Sequence, residues 1–288
     1  MEKKQFDIII PVSYKDCGIL KKTIRWVRKN IETQGVLYVI TSESCFSDFP
    51  SSFRKEHHVE LIDENKMLDA LTFGRVRSLL ARHNKANMTG WYFQQFLKMG
   101  FALTQYAKGY YLIWDADTIP LQRLSFFDED TILFNPKKEH HQPYFDTITR
   151  LTGITQFAAH SFISEHMMVC TQVMKELVAK LADEGKDWVE NIIDHCDMSN
   201  IQAFSEFETY GNYCLTFHPE LMKPRLLTTL RCGGRLFGRQ VSDRELELLA
   251  LDFDTASFER REYPPFPRSV VACLDRVATE LKHRIKNI

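Results

Sequence analysis

The sequence lacks the marks of several protein classes. Its 288 residues carry a formal net charge of −1, so no overall positive field would attract nucleic acid. No run of about 18 apolar residues occurs, which argues against a membrane-spanning helix, and residues 1–5 do not resemble a signal peptide. Seven cysteines are scattered without a C-x-x-C pair. We therefore expect reduced thiols in a cytoplasmic protein, and neither disulfides nor a zinc site.

Internal repeats, low-complexity tracts and a phosphate-binding P-loop are also missing, whereas 44% of the residues are hydrophobic. That content suffices for a packed core and argues against disorder. The length suits one large α/β domain or two small ones.

Short apolar runs in the first part of the chain predict buried strands over residues 6–12, 36–40 and 59–62. Between the first two, apolar residues recur at helical spacing, namely Leu20, Ile24, Val27 and Ile31. We expect Gly35 to close this helix. A strand, a helix and a strand in this order imply parallel pairing and an α/β fold.

The most informative stretch is the apolar run Tyr110–Trp114, which stops at Asp115 and Asp117. An unbroken apolar run suits a strand buried on both faces, and its carboxyl edge is where open α/β sheets bind ligands. Residues i and i+2 of an extended chain point to one side, so the two carboxylates flanking small Ala116 repel each other. The stretch offers no cation between them. A divalent ion would relieve the repulsion, and oxygen ligands favour Mg²⁺ or Mn²⁺. An acidic turn that caps the next segment is the alternative.

In this context Asp115-Ala116-Asp117 resembles the DxD motif of GT-A-fold glycosyltransferases. The resemblance implies a GT-A-like α/β fold, with a mixed, mostly parallel sheet flanked by helices, and a metal that binds the diphosphate of a nucleotide-sugar. It also implies that the loop after the first strand and an acidic residue after a later strand bind the base and ribose. The positions that it assigns to this loop and this acidic residue are Pro11, Val12, Ser13 and Asp63. Ordinary loop chemistry is the alternative for each of these four.

A predicted helix before the strand Tyr110–Trp114 carries further candidate site residues. Residues 90–99 read GWYFQQFLKM, and Gln95 and Lys98 are three apart, so they share one helix face. The pattern is similar to a bacterial group of glycosyltransferase-like proteins of the surface-polysaccharide type. This resemblance implies that the face reaches the donor sugar and its phosphates, and plain solvated surface is the alternative.

A second acidic segment follows downstream, where residues 205–212 read SEFETYGN. Ser205 predicts a helix start, and carboxylates in a first turn are stabilised by the helix dipole. Inverting sugar transfer needs a carboxylate base for the acceptor hydroxyl, and the segment resembles the base-bearing element of inverting GT-A enzymes. We assign Glu206 as the base and Glu208 as a structural or acceptor contact, with the opposite assignment left open. A retaining enzyme would not need this base.

Two further residues are candidates for the site. The resemblance implies that His218, expected at the end of a strand over residues 214–218, is the third metal ligand. Arg231 belongs to a glycine-containing arginine segment that could close over a diphosphate, because guanidinium groups match phosphate oxygens. An ordinary structural role for His218 and a plain basic loop around Arg231 are the alternatives.

The stretch between the two acidic segments combines a predicted loop with a predicted strand. Residues 142–160 are rich in Thr, Gly, Pro and aromatic residues and predict a mobile loop on the acceptor side. Residues 157–170 contain a buried strand that the resemblance places beside the strand Tyr110–Trp114. Glu165 and His166 interrupt its apolar run, so we expect one of them to face the cleft.

We expect residues 1–262 to form one GT-A-like domain, followed over residues 263–288 by a Pro-rich linker and an amphipathic helix as a C-terminal appendage. The polar face of this helix is basic, so it could lie on an anionic membrane surface at the inner face of the membrane. Such helices more often pack on their own domain or on a second subunit.

These patterns predict a metal-dependent glycosyltransferase. It would move a hexose from a nucleotide diphosphate sugar, with UDP favoured, to a glycan or glycolipid acceptor in bacterial surface polysaccharide synthesis. One alternative is a sugar nucleotidyltransferase of related fold, which residues 11–18 argue against because they lack a Gly-rich basic motif. The other is a non-catalytic carbohydrate-binding or scaffold protein.

Overall fold

The computed structural model describes residues 4–14, 17–33, 35–183, 185–200, 202–238 and 241–263. They divide into two compact units, each assembled from three separate segments of the chain. The first unit holds the described residues up to Cys17, with Glu32–Ala116 and Ser125–Leu226. The second holds Gly18–Ile31, Asp117–Leu124 and the described residues from Leu227. Residues 264–288, where the appendage is predicted, lie outside the described residues.

A five-stranded sheet organises the first unit. Its strands are β1 (Asp7–Pro11), β2 (Leu37–Thr41), β3 (Val59–Asp63), β4 (Tyr110–Trp114) and β8 (His166–Cys170). They lie in the order β3-β2-β1-β4-β8, and the first four are parallel while β8 runs antiparallel to β4. The predicted mixed, mostly parallel sheet is therefore confirmed, and β8 does lie beside β4.

The apolar runs explain why these segments become central strands. All five residues of β1 and of β2 are buried, as expected for a strand covered on both faces. Gly35, which precedes β2, has a different role from the predicted helix cap, because the helix ends at Asn30. A Cβ at Gly35 would lie 1.9 Å from the carbonyl oxygen of Phe6, so only glycine permits this approach.

Seven helices of the first unit accompany this sheet in the described part of the chain. They are α2 (Ser51–Glu56), α3 (Phe73–Ala81), α4 (Thr89–Gly100), α5 (Gln142–Thr152), α6 (Thr171–Leu181), α7 (Trp188–His195) and α8 (Glu206–Phe217). A smaller sheet in the order β6-β7-β9 is formed by β6 (Phe127–Asp128), β7 (Thr131–Phe134) and β9 (Met222–Pro224). Helices α4 and α8 matter most for the site described below.

The second unit has its own sheet and core. Its elements are α1 (Cys17–Asn30, from Gly18), β5 (Thr118–Pro120), β10 (Thr229–Leu230), α9 (Gly233–Phe237), α10 (Asp243–Leu249) and β11 (Thr255–Ser257). The strands lie in the order β10-β11-β5. Its buried core is made by Ile19, Trp26, Ile119, Leu121, Val241, Leu246, Ala256 and Phe258. Each of the three chain segments contributes to this core.

Two further predictions of local structure are wrong, and one predicted strand is shorter than expected. Residues 142–152 form helix α5, which ends at Gly153 with φ of 78°, so a mobile loop over 142–160 is excluded for its first half. The buried strand expected within residues 157–170 is confined to His166–Cys170. Residues 214–217 continue helix α8 instead of forming a strand. Within the described ranges, none of the helices combines the length and the apolar content that crossing a membrane requires.

Candidate functional site

The site lies where the order of the main sheet reverses. Strand β1 has β2 on one side and β4 on the other, so the connections that leave the carboxyl ends of β1 and β4 diverge. Open α/β sheets bind their ligands in the crevice at such a switch point. Here the crevice is bounded by Pro11, the last residue of β1, and by Asp115, which directly follows β4.

Helix α4 supplies polar side chains to both strand ends. The amide nitrogen Nε2 of Gln94 donates to the carbonyl oxygen of Pro11 over 3.1 Å. One turn later, Nζ of Lys98 lies 3.0 Å from Oδ1 of Asp115. The hydroxyl of Tyr111 in β4 donates to the carbonyl oxygen of Lys98 over 3.0 Å, which fixes the last turn of the helix against the strand.

Lys98 bridges two carboxylates. Its Nζ is 3.0 Å from Asp115 and 2.9 Å from Oε1 of Glu206, and only 6% of the residue is exposed. Burial alone would lower the pKa of Lys98, but the two carboxylates outweigh it and hold the pKa above its ordinary value. The ammonium also lies 4.5 Å from the centre of the Phe207 ring. Asp115 therefore has a cationic partner that the local sequence around it did not reveal.

Glu206 opens helix α8 and is held at both its backbone and its side chain. Ser205 caps the helix, because its hydroxyl accepts from the backbone N–H of Glu208 over 3.3 Å. The backbone N–H of Glu206 donates to Oε1 of Gln95 over 3.0 Å. Gln95 and Lys98, predicted to share one helix face, thus meet the same residue.

Glu208 is enclosed by hydrogen-bond donors. Its Oε1 accepts from the hydroxyl of Ser161 and from the backbone N–H of Phe162 at 3.1 Å, while Oε2 accepts from Nδ2 of Asn212 at 3.2 Å. Burial raises the pKa of Glu208, and these hydrogen bonds oppose the rise. Both oxygens are occupied, so this carboxylate anchors the segment before β8 to helix α8.

The other residues of the SEFETYGN segment serve the same attachment. The hydroxyl of Tyr210 accepts from the backbone N–H of Cys170 over 2.8 Å, and Oδ1 of Asn212 accepts from that of Ala158 over 3.1 Å. A Cβ at Gly211 would lie 2.2 Å from the ring of Phe162. Apart from Glu206, whose carboxylate faces Lys98, the motif docks helix α8 onto residues 158–170.

A second ion pair flanks Asp115 on its other side. The backbone N–H of Asp115 donates to the carbonyl oxygen of Glu165 over 3.0 Å, and the Glu165 carboxylate lies 3.3 Å from Nζ of Lys137. Burial raises the pKa of Glu165, an effect that Lys137 partly offsets. Glu165 therefore adjoins Asp115 through its backbone, and the expectation that its side chain faces the cleft stays a prediction.

His166 is instead packed inside the core. Its ring stacks on that of Trp114 with centroids 5.0 Å apart, and Phe126 contacts it edge-on. Neither ring nitrogen has a hydrogen-bond partner. Burial lowers the pKa of His166 to about 3, and the nearby charge of Arg225 contributes to the shift, so the imidazole is neutral at physiological pH.

Tyr144 is a residue of this neighbourhood that the sequence did not identify as part of the acidic cluster. It lies in the first turn of α5 and is 7% exposed. Burial, together with the charges of Glu206 and Glu208, raises the pKa of Tyr144 to about 12. Its hydroxyl is therefore protonated at physiological pH and is able to donate a hydrogen bond.

The remaining nucleotide-binding predictions fall at strand ends. Val12 is buried and its N–H donates to Ile40 of β2, whereas Ser13 is exposed. Asp63 ends β3, where Oδ1 accepts from the N–H of Asn65 and Oδ2 lies 3.3 Å from Nζ of Lys66. These contacts are those of an ordinary turn, so a role for these residues in binding base and ribose stays a prediction.

Two predicted residues belong to the second unit. Asp117 precedes β5, and its carbonyl oxygen accepts from the N–H of Phe258 over 2.9 Å. Arg231 is exposed directly after β10. Ala116, between the two aspartates, is buried. The roles of Asp117 in metal binding and of Arg231 in diphosphate binding stay predictions.

His218 does not lie at the cluster that contains Asp115. It caps the carboxyl end of α8, where its Nε2 is 3.0 Å from Oε2 of Glu176 on α6. Glu206 begins the same 12-residue helix, so the two lie about 18 Å apart along its axis at 1.5 Å per residue. The strand that was expected to deliver His218 to the sheet edge is the last turn of this helix, which is why the predicted third ligand is displaced.

The donor chemistry at Asp115 suits a hard divalent ion, since carboxylate oxygens are what Mg²⁺ and Mn²⁺ prefer. Within the ranges that the structure describes, however, no group of three or more His, Cys, Asp or Glu side chains is arranged to hold a metal. Mg²⁺ usually takes one or two carboxylates from a protein and its other ligands from phosphate and water, so the carboxylate of Asp115 is compatible with such an ion.

The sequence left several partners unassigned. Gln94, Ser161 and Asn212 hold the strand end and the acidic segment in place, and Lys137 pairs with Glu165. Gln94 is next to Gln95 in the sequence, and Asn212 is the last residue of the SEFETYGN segment. The sequence motifs therefore already contained both residues. Ser161 and Lys137 carry no local signal, because their contacts join distant parts of the chain.

The comparisons with known proteins give a family and a set of remote structural likenesses. The family model of DUF6492, described as a family of unknown function, matches residues 3–227. No functionally curated protein matches the chain. Mouse xyloside xylosyltransferase 1 in its apo form is 9% identical with a TM-score of 0.49, over 91% of this chain and 100% of that one.

Two further solved glycosyltransferase structures give similar values. The galactosyltransferase LgtC, solved with donor and acceptor sugar analogues, is 9% identical with a TM-score of 0.45, over 88% of this chain and 87% of that one. The glycosyltransferase GlyE of Streptococcus pneumoniae is 9% identical with a TM-score of 0.43, over 89% and 55%. Because every one of these TM-scores is below 0.5, the function has to rest on the chain's own residues.

Proposed function

The chain belongs to DUF6492, a family of unknown function, and we propose that it is a glycosyltransferase that takes its sugar from a nucleotide diphosphate donor. The observation that carries the proposal is the cluster of Asp115, Lys98 and Glu206 at the switch point of a mostly parallel sheet. Sheets of this kind bind nucleotides there. A buried cation lies between two carboxylates, one of which is the first aspartate of the predicted D-x-D motif. Such an arrangement would be useful for transferring a group from a diphosphate.

The proposal assigns a divalent ion, Mn²⁺ or Mg²⁺, to Asp115 and Asp117. This assignment rests on the sequence motif and on the oxygen chemistry of its side chains. When bound, such an ion would neutralise the charge that develops on the leaving diphosphate. His218 is not part of the proposed site, since it lies at the far end of α8 and pairs with Glu176.

Lys98 and the backbone around it would set the geometry for the donor. Its ammonium is held between Asp115 and Glu206, so a positive charge stands close to where a diphosphate would lie. Gln95 fixes the first residue of α8 through the backbone N–H of Glu206. Pro11, Val12, Ser13 and Asp63 would contact the nucleoside, as the sequence resemblance implies. Arg231 would contact the diphosphate, because guanidinium groups match phosphate oxygens.

Glu206 is the proposed base for an inverting transfer. It would accept the proton of the acceptor hydroxyl as that oxygen attacks the sugar, whereas Glu208 has both oxygens occupied and would keep α8 in position. The acceptor would be a glycan or glycolipid of a bacterial surface polysaccharide and the donor a UDP-hexose. The proposed location is cytoplasmic, with peripheral membrane contact through residues 263–288.

Calorimetric titration of UDP and GDP, with and without Mn²⁺, tests the proposal. We expect nucleotide binding that strengthens with Mn²⁺, and we expect Asp115→Asn to abolish that metal effect because it removes a charged ligand. Asp252→Asn, an exposed aspartate of the second unit, is the matched control and should bind as the unaltered chain does. A chain that binds neither nucleotide under any of these conditions would rule the proposal out.

A screen of nucleotide-sugars for metal-dependent hydrolysis then separates the alternatives. A glycosyltransferase releases the nucleoside diphosphate from its donor. A sugar nucleotidyltransferase would instead consume a nucleoside triphosphate and a sugar phosphate, and a carbohydrate-binding protein would release nothing while still binding glycans.

A further inference from the structure

Asp115 and Glu206 share one ammonium. Nζ of Lys98 lies 3.0 Å from Asp115 and 2.9 Å from Glu206, and the Lys98 and Glu206 side chains are each 7% exposed. The Asp115 side chain is 30% exposed, so it is the member of the three that a solute can reach. The cluster thus presents a carboxylate to solvent whose charge is partly balanced by an ammonium that it shares with Glu206.

Lys98 is not free to move away from this position. Its carbonyl oxygen accepts from Tyr111, its ammonium lies over the Phe207 ring, and its departure would leave the buried Glu206 carboxylate without the cation beside it. Buried charges need paired partners. A divalent ion that approaches Asp115 alone therefore meets a fixed positive charge within a few ångströms.

A nucleoside diphosphate changes this balance. Its phosphate oxygens supply negative charge that both a divalent ion and an ammonium can share, and phosphates are the usual companions of Mg²⁺ and Mn²⁺ in proteins. With the diphosphate present, Lys98 gains an anionic partner while the ion takes Asp115. Repulsion between the two cations is then offset by a group that binds both.

We infer that Lys98 is a fixed counterion that makes divalent-metal binding at Asp115 depend on the nucleoside diphosphate, so that the ion enters with the nucleotide instead of alone. This inference rests on the proposed function, since it takes Asp115 as a metal ligand and a nucleoside diphosphate as the donor's leaving part. It adds an order of binding and names the residue that imposes it.

The inference has a thermodynamic signature. If UDP strengthens Mn²⁺ binding by some factor, Mn²⁺ must strengthen UDP binding by the same factor. Part of that factor comes from direct contact between ion and phosphate, which any metal–nucleotide complex has. The part due to Lys98 is the part that disappears when its charge is removed.

The experiment measures Mn²⁺ binding by the spectroscopic signal of the free ion, with and without UDP. For Lys98→Met we expect Mn²⁺ alone to bind about tenfold or more tightly than in the unaltered chain, because a like charge near the ion is gone. The strengthening of Mn²⁺ binding by UDP should shrink correspondingly. Lys98→Arg keeps the charge and is the matched control, with Mn²⁺ affinity close to that of the unaltered chain.

A second variant guards against misfolding. Lys98→Met leaves two carboxylates without their cation, whereas Lys98→Met combined with Glu206→Gln removes one charge of each sign and keeps the cluster's net charge. Its affinity for Mn²⁺ alone should also rise, since Asp115 is released in both variants. Circular dichroism and thermal unfolding show which variants are folded.

The outcomes separate this inference from the proposed function. Tighter binding of Mn²⁺ alone in the folded Met variants supports the inference. Unchanged affinity for Mn²⁺ alone, in variants that still bind UDP with Mn²⁺, overturns the inference and leaves the proposed function intact. Failure of the unaltered chain to bind UDP or GDP with Mn²⁺ overturns both.

Discussion

At the level of single residues, Glu206 and Glu208 differ in what surrounds them. Glu206 faces an ammonium and sits beside the candidate site, whereas Glu208 accepts three hydrogen bonds from Ser161, Phe162 and Asn212. Both side chains are almost fully buried. The difference between them is therefore one of partners, and it predicts different consequences when each charge is removed.

We expect Glu206→Gln to reduce sugar transfer by about 100-fold or more, because a general base contributes that much, with a small change in thermal stability. Glu208→Gln should destabilise the fold by about 1–3 kcal/mol, because an amide places a donor among the donors that surround this position. Steady-state kinetics and urea unfolding of the two variants measure these effects.

The two variants serve as controls for each other. A large loss of activity in a fully stable Glu208→Gln protein, with Glu206→Gln active, would reverse the assignment. Retained activity in both variants would favour a retaining enzyme that needs no such base.

His166 predicts how stability changes with pH. Its folded pKa of about 3 lies below its ordinary value, so the fold prefers the neutral ring. The stability contributed by the neutral ring is fully present above about pH 6.5, the ordinary pKa of histidine. It is lost as pH falls towards 3, by at most about 1.4 kcal/mol per pH unit. His166→Phe keeps a ring against Trp114 and should flatten the pH dependence of unfolding in that window.

Denaturant unfolding at a series of pH values measures this dependence for both proteins. The comparison isolates His166, because Glu165 and Glu208 titrate in both. Parallel pH profiles for the two proteins would show that the ring is not held neutral in the fold.

Single residues of the site were predictable where a local pattern marked them. Asp115 stood at the end of an apolar run and Glu206 at a helix start, and the structure brings both to Lys98. What the sequence could not predict was the pairing itself, because Lys98 meets Glu206 across a long stretch of chain. The sequence shows no cation between the two aspartates, and the cation that pairs with Asp115 comes from another helix.

At the level of elements, helix α8 depends on close packing at one glycine. A Cβ at Gly211 would lie 2.2–2.4 Å from three atoms of the Phe162 ring. We expect Gly211→Ala to destabilise the protein by about 1–3 kcal/mol through overpacking. It should also lower activity, because it displaces α8 from the segment that Glu208 holds.

Gly90→Ala is the matched control. Gly90 lies in helix α4 and a Cβ there would meet nothing within 4 Å, so alanine should stabilise the helix by about 0.5–1 kcal/mol. Thermal unfolding compares the two variants. Equal melting temperatures would show that Phe162 moves aside at little cost.

The strands were more predictable than the helices. Strands β1, β2 and β4 are short apolar runs, and burial on both faces leaves a signal that tertiary contacts do not alter. Helix α5 was missed although Pro143 in its first turn and Gly153 after its last residue are common helix boundaries. Its aromatic and threonine content favoured a loop. The last turn of α8 was mistaken for a strand because residues 214–217 form a short, mostly apolar run. In the structure this run directly continues the helix.

At the level of the whole molecule, the two units are interleaved along the chain. The core of the second unit joins Ile19 and Ile119 to Leu246 and Phe258, and the DUF6492 match ends at residue 227. A fragment of residues 1–226 therefore keeps two of the three segments that build this core and lacks the third. We expect it to be poorly soluble and to unfold without a cooperative transition, as measured by calorimetry and dye binding to exposed apolar surface.

A fragment of residues 1–263 is the control, since it retains the whole described core. It should unfold cooperatively, as the full chain does. If the shorter fragment unfolded with the same transition as the longer one, the second unit would not depend on residues beyond 227.

This interleaving could not be predicted from the sequence. Within its own segment, each apolar residue of the second core looks like an ordinary helix or strand position. No local pattern shows that residues from three distant segments pack into one core. The parallel sheet, by contrast, follows from consecutive strands and helices, whose spacing alone indicates the pairing.

The stacked pair of Trp114 and His166 gives the candidate site an optical handle. The indole is fully buried, its plane lies 17° from that of the imidazole, and it directly precedes Asp115 in the chain. Phenylalanine at the other three tryptophan positions would leave one emitter, which stacks on the buried His166 ring and directly precedes a carboxylate at the sheet edge. Its fluorescence would then follow the arrival of a nucleotide in real time, without any attached dye.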